Sequence, residues 1–455
     1  MQKALLVKAA LIGILALLLM VPLQMIGGIV FERQQRHGEV VREIAASYAG
    51  EQRIAGPVLV IPYVEEYLEA QTDNAGRKTG EVLRRRDGAV YLYPKDLSVS
   101  GRLATDVKRR GLFKALVYRW EGTLAGSFRI PETLPIRRRH EASIITPGAP
   151  LLSVGISDPR GLSGAPLLEW NGARPTFLQG SAIAALPNGI HAPLPASGAG
   201  SVAFSLALGL RGTERIAFVP LADDTRVDLA ADWPHPSFGG RFLPDPQGQR
   251  IDESGFAAKW HITALASSAR QMFDAATERR DNCVNGACLE SLDVRLVEPV
   301  NIYAQAGRSL KYGFLFIGLT FAAFLLFELL KGLRMHPAQY LLVGLALAMF
   351  FLLVISLSEH IEFWRAYLAA TVACVALQGY YLGKALGNAR RGAAFAALLT
   401  LLYGALYGLL SSEDNALVLG SLLLFALLAA AMVATRNFDW YRLAPAGRET
   451  ASEAS

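Results

Sequence analysis

Hydropathy cuts this chain into one apolar run near the N-terminus, a long polar block, and five apolar runs crowded toward the C-terminus. The first run lies around Ala9–Phe31, and the others fall within about Leu310–Thr435. Roughly 20 apolar residues cross a bilayer as a helix, because without water every backbone polar group must be bonded inside the segment. The block between, about Glu32–Arg308, is charged, rich in Gly and Pro, and has no comparable apolar stretch. The expected fold is an α-helical membrane bundle of six transmembrane helices, with a large β-rich periplasmic domain inserted between helices 1 and 2. The expected divisions are an N-terminal transmembrane signal anchor (1–31), a β-rich domain of one or two lobes (32–308), a five-helix transmembrane domain (309–441) and a disordered cytoplasmic tail (442–455).

Orientation follows from where Lys and Arg flank the spans, since basic residues are retained on the cytoplasmic side. Lys3 and Lys8 precede the first span, Lys331 and Arg334 follow the second, Lys384, Arg390 and Arg391 the fourth, and Arg436 and Arg442 the sixth. The opposite turns hold Glu359, Glu362, Glu413 and Asp414, with Arg365 the basic exception. This pattern predicts a multi-pass protein of the bacterial inner membrane with both termini in the cytoplasm. A cleaved signal peptide is the rival reading of the N-terminus. No A-x-A site follows the apolar run, and a charged helical pattern continues from Phe31 to Tyr48, which favours an uncleaved anchor. The net charge of +6 reflects the cytoplasmic-side cations. The outer block is nearly balanced, which argues against a nucleic-acid partner.

Within that block, apolar residues alternate with a period of two, as in half-buried strands. Val202, Phe204, Leu206, Leu208 and Leu210 fall on one face, and Val227 with Leu229 and Leu292 with Val294 and Leu296 repeat the pattern. Val58–Ile61 is short and β-branched and predicts a buried strand. Helical periodicity marks about Gly38–Tyr48 and about Ala264–Arg279, where Leu265, Ala269, Met272, Phe273 and Ala276 share a face. Cys283 and Cys288 flank Val284-Asn285-Gly286-Ala287, and Asn-Gly is a strong hairpin signal. On the oxidising side of the membrane the pair suggests a disulfide clipping that turn. Metal ligation needs two further ligands, and no nearby Cys or His supplies them. Cys374, inside the fourth span, reads as a small packing residue.

Catalytic signatures are absent: no H-E-x-x-H, no G-x-x-x-x-G-K-[ST], no G-x-S-x-G. Gly198–Ala203 fits G-x-G-x-x-A but opens a strand, so no helix N-terminus would meet a pyrophosphate. No cofactor or metal is expected. The basic triplets Arg84–Arg86, Lys108–Arg110 and Arg137–Arg139 would hold lipid phosphates or anionic polymers only if the fold gathered them, and charge runs are usually solvated surface. Trp233–Pro244 is dense in aromatics and prolines, and Trp233, His235, Phe238 and Phe242 either present a partner loop or staple two lobes together, the reading favoured here. The spans hold Gln24, Thr320, Gln378 and Tyr403, while charges, Glu328 included, sit at span ends. Gly379–Gly383 and Gly404–Gly408 are small-x-x-x-small patterns suited to close helix contact. Glu359, His360, Glu413 and Asp414 end two spans on the same outer side. They form a cation or pH-sensing site if they converge, and otherwise simply terminate the spans.

Several longer strings run in a consistent order: Gly56-Pro57, the Trp233–Pro244 run, Glu253–Phe256, His336-Pro337 with Gln339–Leu345, Leu357–His360, Gly408–Asp414, Thr435–Asn437 and Asp439–Tyr441. In these the chain resembles the CreD family of bacterial inner-membrane proteins over nearly its whole length. The resemblance implies a protein of the Cre two-component regulon, associated with envelope integrity and tolerance to some colicins and envelope-directed antibiotics. It implies no catalytic residues, and the cysteine pair is not part of it. The expected function is thus a non-enzymatic, envelope-integrity protein that meets the lipid bilayer and periplasmic envelope components. The alternatives are a transporter or channel, which needs a polar path through the bundle, and a membrane-bound enzyme acting on envelope lipid or peptidoglycan precursors.

Overall fold

A computed structural model describes residues 2–72, 78–136, 138, 140–195, 198–279, 286–298, 302–331, 335–385, 388–411 and 416–436. They form two compact units, Met1–His37 with Val300–Ser455, and Gly38–Pro299. The chain opens on helices α1 (Gln2–Leu18) and α2 (Met20–Ser47). The strands that follow are β1 (Gln52–Thr72), β2 (Lys78–Leu92), β3 (Pro94–Arg110), β4 (Phe113–Ile130), β5 (Ile144–Pro147), β6 (Leu151–Ile156), β7 (Leu167–Trp170) and β8 (Leu178–Gln179). Then come β9 (Gly189–Pro193), β10 (Gly200–Thr213), β11 (Arg215–Val219), β12 (Asp224–Ala231), β13 (Pro236–Gly240), β14 (Arg250–Asp252), β15 (Gly255–Thr263), helix α3 (Ala269–Arg279) and β16 (Leu292–Leu296).

These strands build two sheets. The first runs β13-β16-β11-β1-β6-β9-β8, with β2 and β5 also on β1, and the second runs β14-β15-β12-β3-β4-β10-β7. Pairing is mostly antiparallel; β1 with β11 and β3 with β12 are parallel. The inner faces share one core, in which Trp120 of β4 meets Phe218 of β11 edge-on with centroids 5.5 Å apart. The unit is a β-sandwich, stabilised by about 1.5–3 kcal/mol for each large apolar side chain withdrawn from water. The expected alternation holds in β10, where Val202, Phe204, Leu206, Leu208 and Leu210 are buried. Val58–Ile61 is buried on both faces. Leu59 and Ile61 enter the sandwich core, while Val58 and Val60 pack with Ala269 and Phe273 of α3. The helix expected from Ala264 begins at Ala269, so Leu265 lies in a 3-10 turn and is fully exposed.

The other unit adds α4 (Ile302–Lys331), α5 (Pro337–Ser358), α6 (Phe363–Ala385), α7 (Ala389–Ser411) and α8 (Ala416–Thr435). The expectation of six transmembrane helices is corrected here. Among the described residues four helices are long and apolar enough to cross a membrane: Ala10–Ser47, Pro337–Ser358, Phe363–Ala385 and Gly392–Ser411. The segments expected as spans two and six are α4 and α8, which are helical but are not among the four. In the first turns of α4, Gln305, Arg308 and Lys311 lower the hydropathy. The expected tail, 442–455, lies outside the described residues.

The bundle core is aromatic: Phe350 packs on Tyr367 and Tyr403, and Phe324 on Tyr340 and Phe395. Of the two glycine patterns, one makes a close contact. A Cβ on Gly392 of α7 would stand 2.6 Å from the Gly383 Cα and 2.8 Å from the Gly379 carbonyl of α6, so the helices touch backbone to backbone. Gly404 and Gly408 have nothing within 4 Å of such a Cβ.

Candidate functional site

Register places a set of charges on the outer face of the first sheet. Ile54 of β1 pairs with Phe218 of β11, and both point into the core. The alternate residues Glu51, Arg53, Arg215 and Ala217 therefore share the opposite face. Arg215 pairs with Arg295 of β16, and Ala217 with Asp293, which extends the face by another strand. On the far side of β1, Ser157 follows β6, and its Oγ accepts from the Arg53 N–H at 2.9 Å and donates to the Glu51 carbonyl at 2.8 Å. Small Ala217 forms part of the floor. Farther along, α3 covers this face; here it is open, as a cleft of about 610 Å³ lined by Glu51, Arg53, Ser157, Asp158, Gln179, Asn188 and Arg215 among others.

The acids in and beside this cleft are held by guanidinium groups. Arg215 donates to the Asp293 carboxylate at 2.5 Å and stands 3.7 Å from Glu51, which lies equally far from Arg295. At the rim Arg160 grips Asp158 through two nitrogens, at 2.8 and 2.6 Å, and the Gly50 N–H adds a bond at 2.9 Å. The Arg160 hydrogen bond, opposed by partial burial and aided by the Gly50 N–H, holds the Asp158 carboxyl below its ordinary pKa. Buried Gln52 fastens this rim to the sandwich, donating to the carbonyls of Asp158 at 3.0 Å and Arg211 at 2.9 Å. The Arg53 pKa is lowered as well, which for an arginine disfavours the charged form. Burial, and then the like charge of Arg215, depress its affinity for a proton. The Arg215 Nε–H is buried without a hydrogen-bond partner.

The residues singled out from sequence lie elsewhere. Trp233 donates through Nε1 to the Val297 carbonyl at 2.9 Å and meets His235 edge-on. Phe238, on β13, packs edge-on against Phe256 and Trp260 of the second sheet, and the Phe242 carbonyl accepts from Trp260 Nε1 at 3.2 Å. Glu359 caps α5 and stands 3.5 Å from Arg33 of α2; exposed His360 meets the Ser356 carbonyl of its own helix at 3.2 Å. Glu413 and Asp414 lie outside the described residues. Cys288 is disulfide-bonded, Cys374 is a buried free thiol, and Cys283 lies outside the described residues. Arg84–Arg86 and Lys108–Arg110 sit on separate hairpins, with Arg84 beside Glu69, Lys108 beside Asp106 and Arg110 beside Glu43 of α2; Arg137 and Arg139 lie outside the described residues. Among the described residues no three His, Cys, Asp or Glu side chains gather as a metal site.

Glu328 stands in the last turn of α4, where its charge is withdrawn from solvent. It is buried, and accepts from the Lys8 ammonium, the Met335 N–H at 3.2 Å and the Tyr340 hydroxyl at 2.9 Å. With both oxygens occupied, it ties α1, α4 and α5 together.

A helical membrane unit with several candidate spans, joined to a β-sandwich that bears an open charged cleft, defines a multi-pass membrane protein with a large extramembrane domain. The chain matches the family described as Inner membrane protein CreD over residues 4–441. It is also 34% identical over 427 residues to the Inner membrane protein CreD of Escherichia coli (strain K12), covering 93% of this chain and 91% of that one. This chain belongs to the CreD family. It is a multi-pass inner-membrane protein with a periplasmic domain, and its family is not a known enzyme family.

The cleft was not foreseen. Its sequence signal is a charge at every second position of short apolar strands, as in Leu292-Asp293-Val294-Arg295-Leu296. That pattern says which residues share a face, and not which strands lie side by side.

Proposed function

We propose that this protein supports cell-envelope integrity without catalysis, its β-sandwich acting in the periplasm as a recognition module for envelope components. One observation supports recognition over chemistry: each carboxylate of the cleft is engaged by a guanidinium, Asp158 by Arg160, Asp293 by Arg215, and Glu51 between Arg215 and Arg295. A general acid at neutral pH needs a raised pKa, and the hydrogen bond from Arg160 pushes Asp158 the other way. In this reading both termini are cytoplasmic, with Lys384, Arg390, Arg391 and Arg436 on the inner side and Glu359 and Glu362 on the outer. Cys288 pairs with Cys283 across the Asn285-Gly286 turn, a bond that thiol labelling of unreduced protein tests directly.

A reporter active only in the cytoplasm, fused after Arg391 or after Ser455, should work at both sites and be silent near Gly200. Activity near Gly200 overturns the orientation. Replacing Asp158 by Asn should leave envelope-stress survival close to wild type at matched protein level. Loss of an essential general acid removes roughly 100-fold or more of activity, and a matching collapse of survival would turn the reading toward an enzyme.

A further inference from the structure

We infer that the groove between α2 and α4 in the helical unit holds one anionic phospholipid of the surrounding bilayer, an acyl chain lying over Gly27 and Gly307 and the head-group phosphate meeting Lys311. The inference is independent of the cleft and of the orientation proposed above, since it concerns the membrane unit alone.

Three observations lead there. First, the groove is open where two helices could have closed it. Gly27 of α2 and Gly307 of α4 line a space of about 440 Å³, and a Cβ on either would have nothing within 4 Å. Glycines on neighbouring helices ordinarily let the backbones meet, as Gly392 and Gly383 do in the same unit. Here the exposed rings of Phe31 and Phe314 flank a gap instead. Because α2 belongs to a helix apolar enough to cross a membrane, that gap faces lipid, and its lining forfeits dispersion contacts unless a chain fills it. Second, the length fits one leaflet. The α2 wall runs from Met20 to Gln34, about 21 Å of helix rise, and half of a bilayer is about 20–22 Å thick. Third, the groove carries a cation. Leu19 and Phe321 meet at Gly344, while Leu23 lies beside Gly313, so α2 and α4 run in opposite directions and Lys311 falls within the stretch that α2 lines. Its Cα–Cβ bond tilts toward Gly307, and its flexible stem can deliver the ammonium to the end of the groove where Gln34 stands. Lys311 is exposed, and among the described residues no carboxylate stands within ion-pair distance of it. A bare ammonium beside lipid chains is costly, and a lipid phosphate supplies the missing counter-charge.

The test uses the purified, delipidated full-length chain in detergent, with phosphatidylglycerol and phosphatidylcholine of identical chains as probes. Binding is read by unfolding temperature and by native mass spectrometry. Phosphatidylglycerol should bind saturably and more tightly than phosphatidylcholine, and inorganic phosphate should have no effect because it lacks the chain. Lys311→Gln should weaken phosphatidylglycerol about fivefold, the worth of one lysine near an anionic surface, and leave phosphatidylcholine unchanged. Lys384→Gln, which removes a cation from α6, should keep the wild-type preference. Gly27→Leu fills the groove with the protein's own side chain. It should fold at least as well without lipid, since a Cβ there meets nothing and glycine is a poor helix former. It should bind either lipid at least about tenfold more weakly, the loss of roughly two methylene contacts. Should Gly27→Leu fold poorly, the Lys311→Gln and Lys384→Gln comparison decides alone. The inference is overturned by the absence of saturable phosphatidylglycerol binding, by binding unchanged in a folded Gly27→Leu, or by a preference that survives Lys311→Gln or falls equally in Lys384→Gln. An equal response to inorganic phosphate also overturns it, since the ligand would then be a free anion. Such a failure leaves the topology and survival tests standing and removes only the lipid.

Discussion

The Phe238 ring meets Trp260 edge-on, with centroids 5.6 Å apart and planes at 74°. Phe238 belongs to the edge strand of the first sheet and Trp260 to the second, so this contact closes one margin of the sandwich. Trp260 Nε1 then binds the Phe242 carbonyl, and Trp233 Nε1 the Val297 carbonyl. The aromatic run is a staple between sheets. Phe238→Ala should destabilise the protein by about 2–3 kcal/mol, below the 3–5 kcal/mol of a fully buried ring because this one is partly buried. Trp233→Phe, which keeps the ring and loses one hydrogen bond, should cost about 1 kcal/mol. Unfolding of the purified chain measures both. A Phe238→Ala protein of wild-type stability that no longer supports survival would make the run a partner surface instead.

The Lys8–Glu328 pair permits a sharper test. Removing one partner of a buried ion pair strands the other, typically at 3–5 kcal/mol, whereas replacing both by apolar groups is often nearly neutral. Lys8 keeps some exposure, so Lys8→Met and Glu328→Leu should each cost about 2–4 kcal/mol. The double variant should cost clearly less than their sum. Strict additivity in this cycle would show that the two side chains do not act as a tie.

Local pattern was legible and long-range pairing was not. The alternation of Val202–Leu210 names its own inward face, because a strand's period of two is written in consecutive residues. Nothing in Gln52–Ala55 announces its partners Ile216–Val219, more than 150 residues on, and the cleft exists only through that pairing. The start of α3 was missed because Leu265 has helical spacing, yet the chain turns there and the helix begins only at Ala269. In the membrane unit, apolar length pointed to six spans. It gave too little weight to Arg308 and Lys311 at the head of α4, and it could not show that Glu328 would be buried against Lys8.

Asp158 sets an acid limit on the rim of the cleft. Its ordinary pKa is 3.8, and in the folded protein it lies lower, chiefly through the hydrogen bond from Arg160. A carboxylate with a depressed folded pKa contributes stability that is full above its unfolded value and is lost as pH falls through the folded one. Unfolding temperature should therefore drop more steeply below about pH 4 in wild type than in Asp158→Asn, with the two curves parallel above about pH 5. Because the pair is partly solvated, high salt should shrink the difference. Equal slopes for both proteins down to about pH 2.5 would show that the Asp158–Arg160 contact contributes nothing to folding.

At the C-terminal end of α5, Glu359 stands beside Arg33 at 3.5 Å, while His360 is exposed and, among the described residues, bonds the Ser356 carbonyl of its own helix. A cation or pH-sensing site would need these two side chains to converge with Glu413 and Asp414. A carboxylate facing a guanidinium already has its counter-charge and gains little from a metal ion. His360→Gln should therefore leave envelope-stress survival at wild-type level across roughly pH 5–8, where an ordinary histidine titrates. Glu413→Gln should be equally mild if that residue simply terminates its span. Glu359→Gln should do slightly more, lowering stability by less than about 1 kcal/mol through the long contact to Arg33, without any dependence on divalent cations. The measurement is survival at matched protein level, repeated with a chelator. A pH-dependent loss in His360→Gln, reproduced by Glu413→Gln and mimicked by the chelator, would mean that the four residues act together and would move the functional centre from the cleft to the membrane edge.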